Sequence, residues 1–246
     1  MREAWLYFKL LDDRLRVVGG KIDLTNYFDR NAVANDETGQ FLNTALVNNP
    51  LLRQPANGPG AAIQYDTQGA IGMALGVQSS NNDASTLTEK VYAVAEIDYH
   101  NSLFLSRQGN YRLWGRVARL PEALDRKTWG AGFSLDQQVT AQLAFFARAG
   151  VGRTEGEAQI AYAWSTGVQM LSPFAESIRD RAGLAFSRQV ERQRLESIAE
   201  GYYRHVLTDR LWISFDLQWL LSGTNNIAGK ESENIFIPGV RTTVNF

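Results

Sequence analysis

The sequence predicts an all-β protein: an antiparallel transmembrane β-barrel with about thirteen strands visible and one long loop folding inward. Three observations predict it. Segments of about ten residues alternate apolar and polar side chains with period two, which is the strand signature. Their length suits a tilted membrane strand better than the shorter strands of a soluble sandwich. The connections tend to alternate between short and long, as in barrels with tight turns at one end and large loops at the other.

The strands fall near 3–10, 14–24, 60–67, 69–79, 90–100, 110–119, 129–137, 140–151, 159–170, 180–189, 195–207, 210–222 and 235–246. In "KVYAVAEIDY" Val91, Ala93, Ala95, Ile97 and Tyr99 share one face and Lys90, Tyr92, Glu96 and Asp98 the other. "YRLWGRVAR" sets Arg112, Trp114 and Arg116 against Leu113, Gly115 and Val117. "TAQLAFFARAGV" keeps Ala141, Leu143, Phe145, Ala147 and Ala149 apart from Arg148, and "QIAYAWSTGVQ" groups Ile160, Tyr162, Trp164 and Val168. "RLWISFDLQWLL" runs Leu211, Ile213, Phe215, Leu217, Trp219 against Ser214, Asp216, Gln218. The closing "IPGVRTTVNF" puts Val240, Val244 and Phe246 opposite Arg241 and Asn245.

Short connections are read at Asp12–Asp13, Thr67–Gln68, Gln138–Val139 and Thr208–Asp209. Long ones are read at Thr25–Pro59, Ser80–Glu89, Leu120–Thr128, Gly152–Ala158, Val190–Arg194 and Gly223–Asn234. Two connections break the alternation by being long, Asn101–Gly109 and Leu171–Arg179. "VERQRLES" and "PEALDRKTW" read as charged loop tips. No repeat, linker or composition shift places a domain boundary, so residues 1–246 read as one barrel domain.

Bulk properties narrow the function. With 25 basic and 26 acidic side chains in 246 residues, nothing argues for nucleic acid. With no cysteine, disulfide scaffolds and Cys-based metal sites are excluded. No window approaches the roughly 18 apolar residues of a membrane helix. The start "MREAWLYFKLLDDRLR" has no signal-peptide pattern. Thirteen strands in a meander leave the first and last parallel, whereas bacterial single-chain barrels close antiparallel with even counts. The expectation is therefore that N-terminal strands are missing.

Enzyme chemistry finds little support. The two histidines, His100 and His205, stand outside any HExxH, GxSxG, P-loop or GxGxxG motif. A pair such as Ser197 with His205 falls on the outward parity. "DRNAVANDE" holds Asp29, Asn31, Asp36 and Glu37, oxygen ligands without EF-hand spacing, which read more simply as hydrogen-bonding to loop backbone. No catalytic residue, metal site or cofactor is assigned.

The segment "GGKIDLTNYFDRNAVANDETGQFLNTALVNNPLLRQPANGPGAAIQYD" is the least periodic. Its "GKIDLTNYFDRNAVANDET" (Gly20–Thr38), "FLNTALVNNP" (Phe41–Pro50) and "NGPGAAIQYD" (Asn57–Asp66), with "LAFSRQ" (Leu184–Gln189) and the terminal "PGVRTTVNF", carry a resemblance. The chain resembles the OprB family of carbohydrate-selective porins, including the cyanobacterial members. The resemblance implies a sixteen-stranded barrel of the bacterial outer membrane, of which this chain is about the C-terminal four-fifths, and passive diffusion of small hydrophilic solutes, carbohydrates foremost. Inorganic ions or iron as solute, or a structural barrel without transport, remain as alternatives. The resemblance also implies that outer-membrane lipid surrounds the barrel and that the barrel assembly machinery reads the strand ending in Phe246. Monomer and homo-oligomer both stay open.

Alternation gives the pore lining. From the wall it takes Glu96, Asp98, Arg112, Trp114, Arg116, Arg148, Glu200, Arg204, Asp216 and Arg241, with Lys21 and Asp23 on the same face. Charges of both signs across a water-filled lumen favour polar solutes. Arg112, Trp114 and Arg116 fit a surface for sugars, and fit equally a ladder of Arg with Glu96 or Asp98. Thr25–Pro59 is too long for an ordinary connection. Its Tyr27, Phe28, Val33, Phe41, Leu42, Leu46 and Val47 need burial, so it is expected to enter the lumen. There Asp29, Arg30, Asn35, Asp36 and Glu37 would form the constriction, with Arg112 and Arg116 opposite. "FLNTALV" reads as a short helix packed through Phe41, Ala45 and Leu42.

Overall fold

The structure is a computed structural model that describes residues 3–86, 89–102, 106–120, 126–174, 179–191, 194–223 and 234–245. Among these, thirteen strands form one antiparallel sheet in sequence order. They are β1 (Ala4–Leu10), β2 (Leu15–Ile22), β3 (Gly58–Asp66), β4 (Ile71–Ser79), β5 (Val91–Asn101), β6 (Gly109–Arg119), β7 (Lys127–Gln138), β8 (Leu143–Thr154), β9 (Ala161–Leu171), β10 (Arg181–Glu191), β11 (Arg194–Val206), β12 (Leu211–Gly223) and β13 (Asn234–Val244). The one α-helix among the described residues is a single turn, α1 (Thr44–Val47). Period-two patterning therefore located every strand, with boundaries displaced by up to three residues.

Each strand has one outward and one inward face. Outward Leu113, Val117, Leu184, Phe215 and Val240 are among the most exposed large apolar residues, while inward Ala62, Ser134, Arg148 and Ser214 are buried. A polar interior with an apolar exterior inverts the soluble pattern and matches a sheet solvated by lipid. The register fixes this parity: a slip of one residue would turn every apolar side chain inward.

Several details differ from the sequence reading. β10 and β11 run on to the register partners Glu191 and Arg194, so "VERQRLES" is mostly ladder and its connection is short. Charged side chains do not interrupt a strand whose backbone stays paired beyond the apolar band. Lys21 pairs with Ala4 and Pro59 and shares the parity of Val17, while Val18 and Ile22 are buried on the inner side; Lys21 points outward. Asp23 lies past the strand and caps a 3-10 turn by accepting from the Thr25 amide at 2.9 Å. Phe246 and "PEALD" (121–125) lie outside the described residues.

β1 pairs only with β2, and β13 only with β12, among the described residues. Both faces of β1 are exposed. With every neighbour antiparallel, β1 and β13 run in the same direction.

The segment between β2 and β3 turns back into the concave side of the sheet. It packs in two apolar clusters. Leu24, Phe28, Leu51 and Leu52 meet Tyr92, Val94 and Trp114 of β5 and β6. Val33, Phe41, Leu46 and Val47 meet Phe146, Ala185 and Tyr202 of β8, β10 and β11. Burial of each such Phe or Leu contributes about 1.5–3 kcal/mol, which offsets the cost of ordering a segment with little regular structure. The short helix is present, capped by Asn43, which accepts from the Ala45 amide. Its packed side is Leu46 and Val47, with Phe41 just ahead of it; Ala45 and Leu42 are only half-buried.

Candidate functional site

The inward loop is held at its centre by Arg148 and Asp29. Arg148, in mid-β8, has Ser134 and Ser165 as cross-strand partners, small enough to let the guanidinium lie over the wall. Its Nη1 donates to the Leu46 carbonyl and its Nη2 to the Asp29 carbonyl, both at 2.9 Å. Nε lies 2.9 Å from Asp29 Oδ2, with side chains 1% and 3% exposed. The same Oδ2 accepts from the Asn49 amide, which binds a second stretch of loop to the pair. Asp29 adopts a left-handed φ of 54°, so its amide reaches Glu96 Oε2 at 2.7 Å.

Other wall side chains grip loop backbone in the same way. Arg116 Nε donates to the Leu51 carbonyl at 2.7 Å and its Nη1 to Thr128. Arg241 donates to the Glu37 and Gln40 carbonyls and pairs with Asp216 at 2.7 Å. Arg204 donates to the Gly39 carbonyl. Glu200 accepts from the Leu42 and Asn43 amides and from Gln218. Buried loop backbone, far from any strand ladder, finds its partners on wall side chains.

The fifteen expected residues thus divide. Asp29, Glu96, Trp114, Arg116, Arg148, Glu200 and Asp216 are buried under or against the loop. Arg30, Asn35, Asp36 and Glu37 are exposed on it. Of the expected opposite wall, Arg116 is covered by the loop, whereas Arg112 borders open space. Arg112 forms the ladder that its spacing allowed, 3.1 Å from both Asp98 and Asp136. Asp36 caps its own turn through Thr38, and Asn31 accepts from the Val33 and Ala34 amides. The oxygen-rich stretch serves loop geometry.

Open space remains on either side. A cavity of about 140 Å³ is bordered by Arg14, Arg16, Arg30, Asp98 and Arg112. Another, of about 400 Å³, lies between Thr44, Asn48, Arg53 of the loop and Gln189, Glu196 of the wall.

Alternation placed Tyr92 on the inner face without showing its role, which is to donate to the Leu52 carbonyl at 2.7 Å, and it did not identify Gln78, which donates to the Ala56 carbonyl at 2.6 Å. Nor did it identify the inward glycines that let the loop approach. A Cβ at Gly150 would stand 2.7 Å from Asn49 Oδ1, and one at Gly76 would stand 2.6 Å from the Phe28 ring. The signal was glycine at inward positions mid-strand, where a side chain would otherwise fill the lumen.

Known proteins fix the lineage. The profile of the carbohydrate-selective porin, OprB family matches residues 73–246, well over half of the sequence. The chain belongs to the OprB family. An uncharacterized protein of Aquifex aeolicus (strain VF5) is 29% identical over 212 residues, 86% of this chain. The chain spans 61% of that relative's length. The high-pH structure of Pseudomonas putida OprB covers 98% of this chain at 18% identity, with 72% of its own length matched and a TM-score of 0.74. An anion-selective porin from Comamonas acidovorans covers 98%, with 75% of its own length matched, at 10% identity and a TM-score of 0.59. These two likenesses are of fold. This OprB-family member carries the family's all-β antiparallel architecture, and the family is one of channels rather than enzymes.

Proposed function

We propose that this protein forms a pore in the bacterial outer membrane for passive diffusion of small hydrophilic solutes, with carbohydrates as the substrate class. The observation that carries this reading is the loop fastened inside an apolar-jacketed sheet, with polar space on both of its sides. Such a loop narrows a channel without closing it. Arg30 and Arg112 with Asp98 offer donors and acceptors to a polyol, and Asn35, Asp36 and Glu37 supply more along the exposed edge. Asp29, Arg116, Arg148 and Glu200 set the loop's position, and hence the width of the passage. The connections 23–57 and 80–90 lie at the extracellular end, and the turns 11–14, 67–70 and 207–210 at the periplasmic end.

The test is planar-bilayer recording of the full-length protein. Deleting residues 31–56 is expected to raise single-channel conductance and to weaken block of the ion current by added sugar. Unchanged values for both would remove the loop from the constriction. Four arginines around the smaller cavity favour a second reading, a pore that prefers anions. Reversal potentials in a salt gradient separate the two readings, since a sugar pore needs no strong ion preference.

The unpaired edges of β1 and β13 lead to a further expectation. Backbone groups left open to hydrocarbon cost several kcal/mol each. A sheet with these two edges open is therefore expected to give no long-lived, uniform conductance steps. Stable steps would mean that this edge closes unaided.

A further inference from the structure

On the outward face the strand-borne Lys, Arg, Asp and Glu side chains gather at one end, whereas at the other end the buried carboxylate of Asp180, just ahead of β10, is held by the outward Tyr203 and His205. Among the described strand residues that project outward by register, the Lys, Arg, Asp and Glu side chains are Lys21, Arg119, Lys127, Arg153 and Arg188, and all are basic. Lys21, Arg119, Lys127 and Arg153 sit at or next to the strand ends that lead to the connections 23–57, 120–126 and 155–160, and Arg188 lies near the end of β10 at that same edge of the sheet, where the connection is short. The opposite strand ends finish on neutral residues such as Tyr65, Tyr99, Tyr111 and Leu143.

Arg119 and Lys127 are direct cross-strand partners. Like charges so placed repel, and neither forms an ion pair among the described residues. Arg153 stands beside them, across from Trp129. The three cations line a cavity of about 720 Å³ together with the outward Val117 and Trp129, 61% and 44% exposed. Two carboxylates, Glu89 and Glu155, share the rim and leave a positive excess. Cations directly above an apolar groove, at the edge of the lipid-facing band, match an amphiphile with a phosphorylated head and several acyl chains.

We propose that this cavity binds a phosphorylated glycolipid of the outer leaflet, its phosphate on Arg119, Lys127 and Arg153 and its acyl chains along Val117 and Trp129. The inference rests on the membrane placement proposed above. That placement also explains the asymmetry, because only the leaflet at the long-loop end meets the basic belt. Charge-assisted contacts to phosphate are the strong ones, and a guanidinium beside an ammonium can share one phosphate between two strands.

The test uses the full-length protein folded in neutral detergent, with a diphosphoryl lipid A as probe and its enzymatically dephosphorylated form as control. Bound lipid is counted by native mass spectrometry, and channel insertion is read separately by bilayer conductance. The phosphorylated lipid is expected to be retained and the dephosphorylated one lost. Arg119→Gln/Lys127→Gln/Arg153→Gln is expected to weaken binding on the order of tenfold or more while conductance persists. Arg119→Lys/Arg153→Lys, which keeps the charge, is expected to retain most of it. Equal retention of both lipids, undiminished binding by the neutralised variant, or full competition by inorganic phosphate at equal concentration would overturn the proposal. Loss of conductance with lipid binding intact would count against the pore and not against this site.

Discussion

Arg148→Leu is expected to destabilise the folded barrel by about 3–5 kcal/mol and to release the inner loop. The magnitude follows from removing one member of a buried ion pair and leaving the other charged without compensation. Here the loss is compounded. Arg148 also satisfies the Leu46 and Asp29 carbonyls, and neither has a strand partner to fall back on. Asp29 would keep its bond from the Asn49 amide but lose its counter-charge. Equilibrium urea unfolding of the full-length protein in lipid vesicles, followed by gel migration, measures the change. Channel recording should show larger or noisier conductance in the same variant. Asp29→Asn combined with Arg148→Met is expected to recover part of the stability, because a neutral pair leaves no buried charge. A loss below about 1 kcal/mol for Arg148→Leu would show that the two apolar clusters hold the loop without the ion pair.

Phe215→Arg is expected to cost about 2–4 kcal/mol, the penalty for a cation near the bilayer midplane on the lipid face. Phe215 lies mid-strand in β12, 54% exposed, between the outward Ile213 and Leu217. The matched inward change is Gln218→Arg. Gln218 already donates to Glu200 at 2.8 Å, so a guanidinium there meets a carboxylate and is expected to cost little. Asp216 is a poor choice of mild control, since it is buried against Arg241 with two contacts, at 3.0 and 2.7 Å. Vesicle-based unfolding of both variants provides the comparison. If Gln218→Arg proved the costlier of the two, the assignment of faces in β12 would be reversed.

The strands were legible in the sequence because period-two patterning is local: Leu211 to Trp219 declares its two faces without reference to any other segment. The same holds for the inward turn of 23–57, since Phe28, Phe41 and Leu46 had to be buried somewhere and the lumen was the nearest shelter. Patterning misled at Lys21, where a polar side chain at a strand end faces outward beyond the apolar band. It also misled at Val190–Arg194, where a paired backbone tolerates charged side chains.

The roles of the inward charges were not legible. Arg112, Arg116 and Arg148 share a parity and a residue type, yet Arg112 borders open space while the other two clamp loop carbonyls. What separates them is which loop atom lies above each. Asp29 and Arg148, or Leu42 and Glu200, are more than a hundred residues apart in sequence. The glycines at Gly76 and Gly150 show why: they are the wall's complement to Phe28 and Asn49, and their purpose exists only once the two surfaces are brought into contact. Sequence by itself determined the faces of the sheet, because a strand's side-chain period is a property of its own backbone. The tertiary structure alone decided which charges hold the loop and which border open space, because that is settled by packing between segments that the chain brings together from afar.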